Sequence, residues 1–184
     1  MNPDFVVLAA GKGTRMLGPS PKVLLPVGGI AMVQRVLDTV AEIDKSRTIL
    51  VLGDQANEVK ESLNFGKNTK VVKQRKQLGT AHAVKTAQSQ LRPGSVTVVL
   101  YGDAPLIESK TLKKLIGNAK KGSLAILTFN KDNPEGYGRI VRGQRNQVTA
   151  IIEEKDANKE QKEIKEVNSG ILAIKSNLMK QLLH

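Results

Sequence analysis

The segment Leu8-Ala9-Ala10-Gly11-Lys12-Gly13-Thr14-Arg15-Met16 closes the apolar run that begins at Phe5. Its small residues let backbone N–H groups come close to phosphate oxygens, while Lys12, Arg15 and, a little further on, Lys22 supply charge to offset them. Neither common phosphate-binding spacing is met. The dinucleotide fingerprint would need a glycine where Met16 stands, and the Walker A loop a lysine where Pro19 stands. A plain strand-to-helix turn accounts for the segment as readily as a phosphate cradle. Pro19, Pro21 and Pro26 bracket Lys22, which predicts an extended, stiff backbone presenting that lysine.

A second segment, Leu100-Tyr101-Gly102-Asp103-Ala104-Pro105-Leu106, puts a carboxylate after an apolar run and one glycine. A carboxylate at the C-terminal end of a sheet strand lies on the ligand side of an open α/β fold. Mg²⁺ needs only one or two protein carboxylates when substrate phosphates and waters complete its octahedron, so Asp103 suffices to start a site. The Gly102-Asp103 step is expected to leave backbone room for a ligand; the bland alternative is an aspartate capping the following turn. Further polar points are Gln74 and Gln77 before Leu78-Gly79-Thr80, Asn133 to Arg139, Glu153-Glu154-Lys155-Asp156, and Asn168-Ser169-Gly170. Gln can pair a base edge, and Glu and Asn suit sugar hydroxyls, although each residue taken singly also reads as a turn or cap. Ser, His and Asp are present, but no nucleophile-elbow pattern supports a hydrolase.

The elements that must position these residues are legible from periodicity. Short β-branched runs alternate with helical patterns, as in βα units building a mostly parallel sheet. Strands are expected at Phe5 to Ala10, Arg47 to Leu52, Val71-Val72, Val96 to Tyr101, Ser123 to Phe129 and Val167 to Ile174. Helices are expected around Val33, Val36, Leu37, Val40 and Ala41, over Gln55 to Leu63, from Thr80 to Leu91, from a Ser109 cap through Leu112, Leu115 and Ile116, and from Ser176 to Leu183. Arg139 to Arg142 and Gln147 to Ile152 flank Gly143-Gln144-Arg145-Asn146 and read as an antiparallel hairpin, so the sheet is expected to be mixed. Glu153 to Lys165 reads as loop with one helical turn.

Composition narrows the function classes. At 184 residues, 40% hydrophobic and 25% charged, one globular domain is the expectation, with no second core and no internal repeat. Zero cysteines exclude disulfides, thiolate metal sites and a cysteine nucleophile, and fit a reducing cytoplasm. With only two histidines, His82 and His184, a multi-histidine metal site is excluded as well. The apolar runs are too short to span a membrane, and Met1-Asn2-Pro3-Asp4 lacks the basic start of an export signal. The net charge of +12 suggests polyanionic partners, but only two Tyr, three Phe and no Trp argue against a stacking platform for nucleic acid. Neither nucleic acid nor membrane is expected as a partner.

Taken in order, Leu8 to Met16, Pro21-Lys22-Val23-Leu24, Gln77-Leu78-Gly79-Thr80-Ala81-His82-Ala83, Tyr101-Gly102-Asp103, Asn133 to Ile140, Glu153 to Ala157 and Glu166 to Gly170 resemble sugar-nucleotide pyrophosphorylases. Within them the resemblance is greatest to the uridylyltransferase domain of bacterial bifunctional N-acetylglucosamine-1-phosphate uridyltransferases. It implies a Rossmann-like nucleotidyltransferase fold, α/β, with a mixed, mostly parallel sheet, helices on both faces and a small antiparallel hairpin. It also implies Mg²⁺-dependent transfer of UMP from UTP to N-acetylglucosamine 1-phosphate, releasing pyrophosphate and making the nucleotide sugar used in cell-wall biogenesis. On that resemblance Leu8, Ala10 and Gly11 approach the uridine, Gln74 and Gly79 help select uracil, and Thr80 lies near the nucleotide. Arg15 and Lys22 stabilise the triphosphate and the charge developing in transfer, Asp103 holds Mg²⁺, and Gly138, Glu153 and Asn168 position the amino sugar.

The resemblance also sets expectations about extent. The family domain continues beyond the position of His184 to an asparagine that gives Mg²⁺ a second protein ligand, and then to a left-handed β-helix that carries acetyltransferase activity and forms trimers. Residues 1–184 are therefore expected to be one nucleotidyltransferase domain lacking both, and a monomer. Two alternatives stay open: a noncatalytic nucleotide or nucleotide-sugar binding module, and a pyrophosphorylase for another sugar phosphate or nucleotide.

Overall fold

The computed structural model describes residues 2–11, 20–122 and 124–183. In chain order the elements are β1 (Pro3–Ala9), a 3₁₀ turn (Lys22–Leu24), β2 (Pro26–Val27), β3 (Ile30–Ala31), α1 (Met32–Ala41), β4 (Arg47–Leu52), α2 (Ala56–Glu61), β5 (Thr69–Lys73) and α3 (Thr80–Ala87). They continue with a 3₁₀ turn (Gln88–Gln90), β6 (Val96–Tyr101), α4 (Ser109–Lys120), β7 (Ala125–Asn130), β8 (Arg139–Arg142), β9 (Val148–Ile152), α5 (Lys159–Lys162), β10 (Glu166–Lys175) and α6 (Ser176–Leu182). Contacts divide the chain into two units, residues 1–125 with 172–184 and residues 126–171.

In the first unit the strand order is β5-β4-β1-β6, all parallel, with Leu172–Lys175 of β10 antiparallel to β6. Every residue of β1 is buried, because the strand is paired on both edges and covered on both faces. One face carries Val6, Leu8, Ile49, Val51, Val99 and Ile174, packed against Ala83, Val84 and Ala87 of α3 and Met179 of α6. The alternate residues Phe5, Val7, Leu50, Leu52, Val98 and Leu100 are just as deeply buried on the opposite face. A strand buried on both faces reads as a continuous apolar run, which is why these strands are visible in the sequence. In the second unit β8 and β9 form an antiparallel hairpin, β8 pairs β10 at Arg139↔Val167, and β7 also pairs β10. The expected fold class, a mixed and mostly parallel sheet with helices on both faces and a small antiparallel hairpin, is the one observed.

Several local expectations are corrected. Lys22 is not extended: it opens the 3₁₀ turn, with the Leu24 N–H bonded to the Pro21 carbonyl at 2.9 Å. Proline biases the residue before it, here Ser20 and Leu25, and leaves the residue after it free to turn. Leu25 is indeed extended, at φ −59° and ψ 133°. Ser109 is the first helical residue of α4 and does not cap it; Glu108 holds the cap position without a side-chain bond. Ala41 lies on the exposed side of α1, and β7 is only half-buried beyond Ala125. The β2–β3 hairpin, turning at Gly28-Gly29, was not foreseen, because two-residue strands carry no periodicity. Among the described residues no helix is long and apolar enough to cross a membrane.

The N-terminal ends of the strands are tied by a buried polar network. The Asp4 carboxylate, with no solvent exposure, accepts bonds from the Arg92 backbone N–H and Nε at 2.7 Å each, from Ser95 Oγ at 3.1 Å and from Arg47 Nη2 at 3.2 Å. Ser176 Oγ continues the chain to Ser95 at 2.6 Å and Thr97 at 2.7 Å, linking β6 to the start of α6. Removing one partner of such a group leaves the others desolvated and unpaired. Asp4→Ala is therefore expected to cost about 3 kcal/mol, at the low end for buried pairs because both arginines keep some solvent contact. Urea unfolding checks this, and a loss below about 1 kcal/mol, the value of an exposed pair, would contradict it.

Candidate nucleotide site

The sheet's register gathers the site. Leu8 stands opposite Tyr101, Ala9 opposite Leu52, and Leu52 opposite Lys73, so four parallel strands end at one level. The residues that follow, Ala10-Gly11, Gly53, Gln74 and Gly102-Asp103, share that edge, and the ladders run one bond further through Gly102 N–H to Leu8 O at 2.9 Å and Gln74 N–H to Leu52 O at 2.8 Å. Ligand crevices of open α/β sheets lie at this edge.

A cleft of about 480 Å³ opens there, lined by Leu8, Ala9, Ala10, Gly11, Lys22, Val23, Gln74, Gln77, Gly79, Thr80, Ala83, Tyr101 and Asp103. That is the size of a small-molecule site. Seven residues expected at a nucleotide, Leu8, Ala10, Gly11, Lys22, Gln74, Gly79 and Thr80, and the expected metal ligand Asp103, all line it. Arg15 lies outside the described residues. Val23, Ala83 and Tyr101 were missed as lining residues. Their signal was present, since Tyr101 ends the central strand and Ala83 is on the inward face of α3.

Lys22 Nζ lies 2.7 Å from Asp103 Oδ2, with the two side chains 39% and 35% exposed. An ion pair this open contributes at most about 1 kcal/mol, so both groups are cheaply released to other partners. The Gly102-Asp103 step leaves no room for a ligand at Gly102 itself, contrary to expectation. A Cβ there would meet Ala9 Cβ at 3.2 Å and Val33 Cγ2 at 3.3 Å, so the glycine serves the packing of β1 and α1 against β6. Gln74 is almost fully buried, and its amide nitrogen lies 3.3 Å from the Gly79 carbonyl and 2.9 Å from His82 Nδ1. An amide nitrogen offers only hydrogens, so both are committed and the carbonyl oxygen is the atom left for a base N–H. Gly79 holds φ +95° and ψ −179° at the start of α3, a region essentially closed to residues with a Cβ.

A smaller cleft of about 280 Å³ shares Ala9, Ala10, Gly11 and Gln77 and adds Pro21, Gly53, Asp54, Gln55 and Val59. Leu52-Gly53-Asp54 repeats the strand-Gly-Asp pattern of Tyr101-Gly102-Asp103, a signal that was available in the sequence. A Cβ on Gly53 would stand 2.7 Å from the Ala10 carbonyl oxygen and 2.9 Å from Gln77 Nε2.

In the second unit the three residues expected at an amino sugar come together. The Asn168 N–H donates to the Gly138 carbonyl at 2.8 Å, and Glu153 Oε1 lies 3.2 Å from where a Cβ on Gly138 would stand. Beside them, a hydrogen bond from Arg139 holds the Glu154 carboxyl below its ordinary value, helped by the Gly136 N–H and opposed by burial. Arg142 lowers Glu166 in the same way, with Thr128 adding to it.

The geometry is that of a known family. Residues 5–166 match the MobA-like NTP transferase domain, and the chain belongs to that family. It is 44% identical over 180 residues to the bifunctional protein GlmU of Cellvibrio japonicus, covering 98% of this chain and 40% of that one. To GlmU of Pseudomonas putida strain F1 it is 48% identical over 174 residues, covering 95% and 38%. The chain thus spans about 40% of the length of the curated relatives it matches. Among solved structures it is similar to UDP-glucose pyrophosphorylase complexed with UDP-glucose, with a TM-score of 0.78 at 16% identity over 100% of this chain and 79% of that one. It is also similar to the inositol-1-phosphate CTP transferase of T. maritima, with a TM-score of 0.77 at 18% identity over 96% and 71%. At these identities the structures show the fold.

Two predictions follow from the packing and the charges. Gly53→Ala must push the Ala10 carbonyl or Gln77 out of place; we expect about 1–3 kcal/mol of lost stability by urea unfolding, together with weaker nucleotide binding by calorimetry. Unchanged values for both would show that the edge accommodates a methyl group. A carboxyl lowered in the folded state binds protons more readily when unfolded, so its stabilisation is complete above the ordinary value of 4.5 and is lost as pH falls through the lowered one. Wild-type stability should therefore drop on the acid side of about pH 4.5, and the Glu154→Gln and Glu166→Gln double variant should drop less steeply. An identical slope in the two proteins would contradict this.

Proposed function

We propose that the chain transfers UMP from UTP to N-acetylglucosamine 1-phosphate, forming UDP-N-acetylglucosamine and pyrophosphate. The observation that carries this reading is the convergence of Lys22, Gln74, Gly79, Thr80 and Asp103 on one cleft at the carboxyl edge of the sheet, in a chain about 45% identical to GlmU proteins. In the reaction a sugar-phosphate oxygen bonds to the α-phosphorus of UTP and the bond to the bridging oxygen of pyrophosphate breaks. Such a transfer needs alignment and charge stabilisation more than a protein nucleophile.

Leu8, Ala10 and Gly11 present main chain to the nucleoside, and Gln74, fixed through Gly79 and His82, offers its amide oxygen to the ring N–H of uracil. Lys22, and Arg15 by the resemblance, neutralise phosphate charge. Gly138, Glu153 and Asn168 hold the amino sugar. The donor set suits Mg²⁺ held jointly with substrate: Asp103 is a half-exposed carboxylate at the cleft, and no group of three His, Asp or Glu among the described residues would form an all-protein cage. When bound, Mg²⁺ would neutralise phosphate oxygens and orient the triphosphate. Lys22 can then move from Asp103 to a phosphate oxygen at small cost, because the pair is half-exposed.

The test is pyrophosphate release in an assay of UTP, CTP, GTP and ATP against several sugar phosphates, with and without Mg²⁺. We expect UTP with N-acetylglucosamine 1-phosphate to be preferred, and Asp103→Ala to reduce kcat/KM by about a hundredfold or more. Saturable UTP binding with no turnover for any pair would make the chain a nucleotide-binding module.

A further inference from the structure

Arg139, at the start of β8, is among the largest fully buried side chains of the protein, at 2% exposure. A buried arginine is rare unless all its donors are used. Its Nη2 donates to Glu154 Oε2 at 2.7 Å, its Nη1 to the Tyr137 carbonyl, and Nε and Nη2 approach the Lys162 carbonyl at 3.4 Å. The same Glu154 oxygen accepts the Gly136 N–H at 3.2 Å, and Lys162 Nζ lies 3.6 Å from the other. One guanidinium therefore binds together the 136–138 turn, the segment after β9 and the end of α5.

Each end of this ion pair is the chain neighbour of a residue assigned to the sugar. Arg139 follows Gly138, and Glu154 follows Glu153; Gly138 lies against the Glu153 carboxyl and receives the Asn168 N–H. We propose that Arg139 and Glu154 form a clamp that keeps Gly138, Glu153 and Asn168 in register, making Arg139 a positioning residue for the amino-sugar phosphate. The consequence for sugar affinity rests on the function proposed above. The clamp's partners named above all lie within residues 136–162, none of them among those lining the nucleotide cleft, so the effect is expected on the sugar phosphate.

The experiment compares the full chain with Arg139→Met, Arg139→Lys and Glu154→Gln by steady-state kinetics, UTP calorimetry and amide exchange. KM for the sugar phosphate is expected to rise about tenfold or more in Arg139→Met and Glu154→Gln, with UTP affinity unchanged and partial recovery in Arg139→Lys. Glu154 is 32% exposed, so Glu154→Gln carries the test if Arg139→Met does not fold. An unchanged sugar KM in folded Glu154→Gln, or an equal loss of UTP affinity, overturns the proposal. If wild-type protein turns over no sugar phosphate, the functional reading fails, and the clamp is judged by exchange of the Asn168 amide. That amide should exchange faster in Glu154→Gln while Leu100 stays protected; unchanged Asn168 protection overturns it.

Discussion

The pairing of β1 between β4 and β6 is the constraint on which the first unit depends. Its register places Leu8 beside Tyr101 and Ala9 beside Leu52, and a one-residue slip would turn every buried side chain of β1 to the opposite face. With both faces covered by helices, such a slip is excluded by packing. The consequence at the edge is chemical: Ala10-Gly11, the Gly53 and Gly102 steps and Gln74 must all lie at one level. Close approach is then helped by missing side chains: a Cβ on Gly53 would collide with the Ala10 carbonyl or Gln77, and one on Gly102 would crowd Ala9 and Val33.

The two ends of that sheet are treated oppositely. At the amino ends a fully buried carboxylate, Asp4, holds Arg47, Arg92 and Ser95 in a network that fixes the strands. At the carboxyl ends the Lys22 and Asp103 side chains are half-exposed and, among the described residues, pair with each other. The first arrangement resists change and the second invites a partner. That contrast supports reading the carboxyl edge as the working end, and a +12 chain is suited to drawing an anion toward it.

Much of this was legible in the sequence. Arg47 to Leu52 and Val96 to Tyr101 are strands to the residue, because burial on both faces demands unbroken apolar runs. The expected residues that the structure brings to the cleft were legible through glycine and strand-end placement together with family resemblance. What escaped depends on the third dimension. Asp4 and Arg139 look like surface charges, and only the folded chain brings them their partners. Lys22 departs from the extended backbone its prolines suggest because proline restricts the residue before it and not the one after. The room expected at the Gly102-Asp103 step is filled, at Gly102, by Ala9 and Val33. The 153–165 stretch hid a capping box at Asn158 and Gln161 that organises α5.

On the reading proposed above, the cleft beside Leu8, Lys22 and Asp103 receives a nucleoside triphosphate. A crystal structure of the protein with UTP and Mg²⁺ tests it directly. Uracil is expected at Gln74 and Gly79, phosphates at Lys22, and the Lys22–Asp103 contact opened. A nucleotide lodged elsewhere, with that contact still at 2.7 Å, would contradict it.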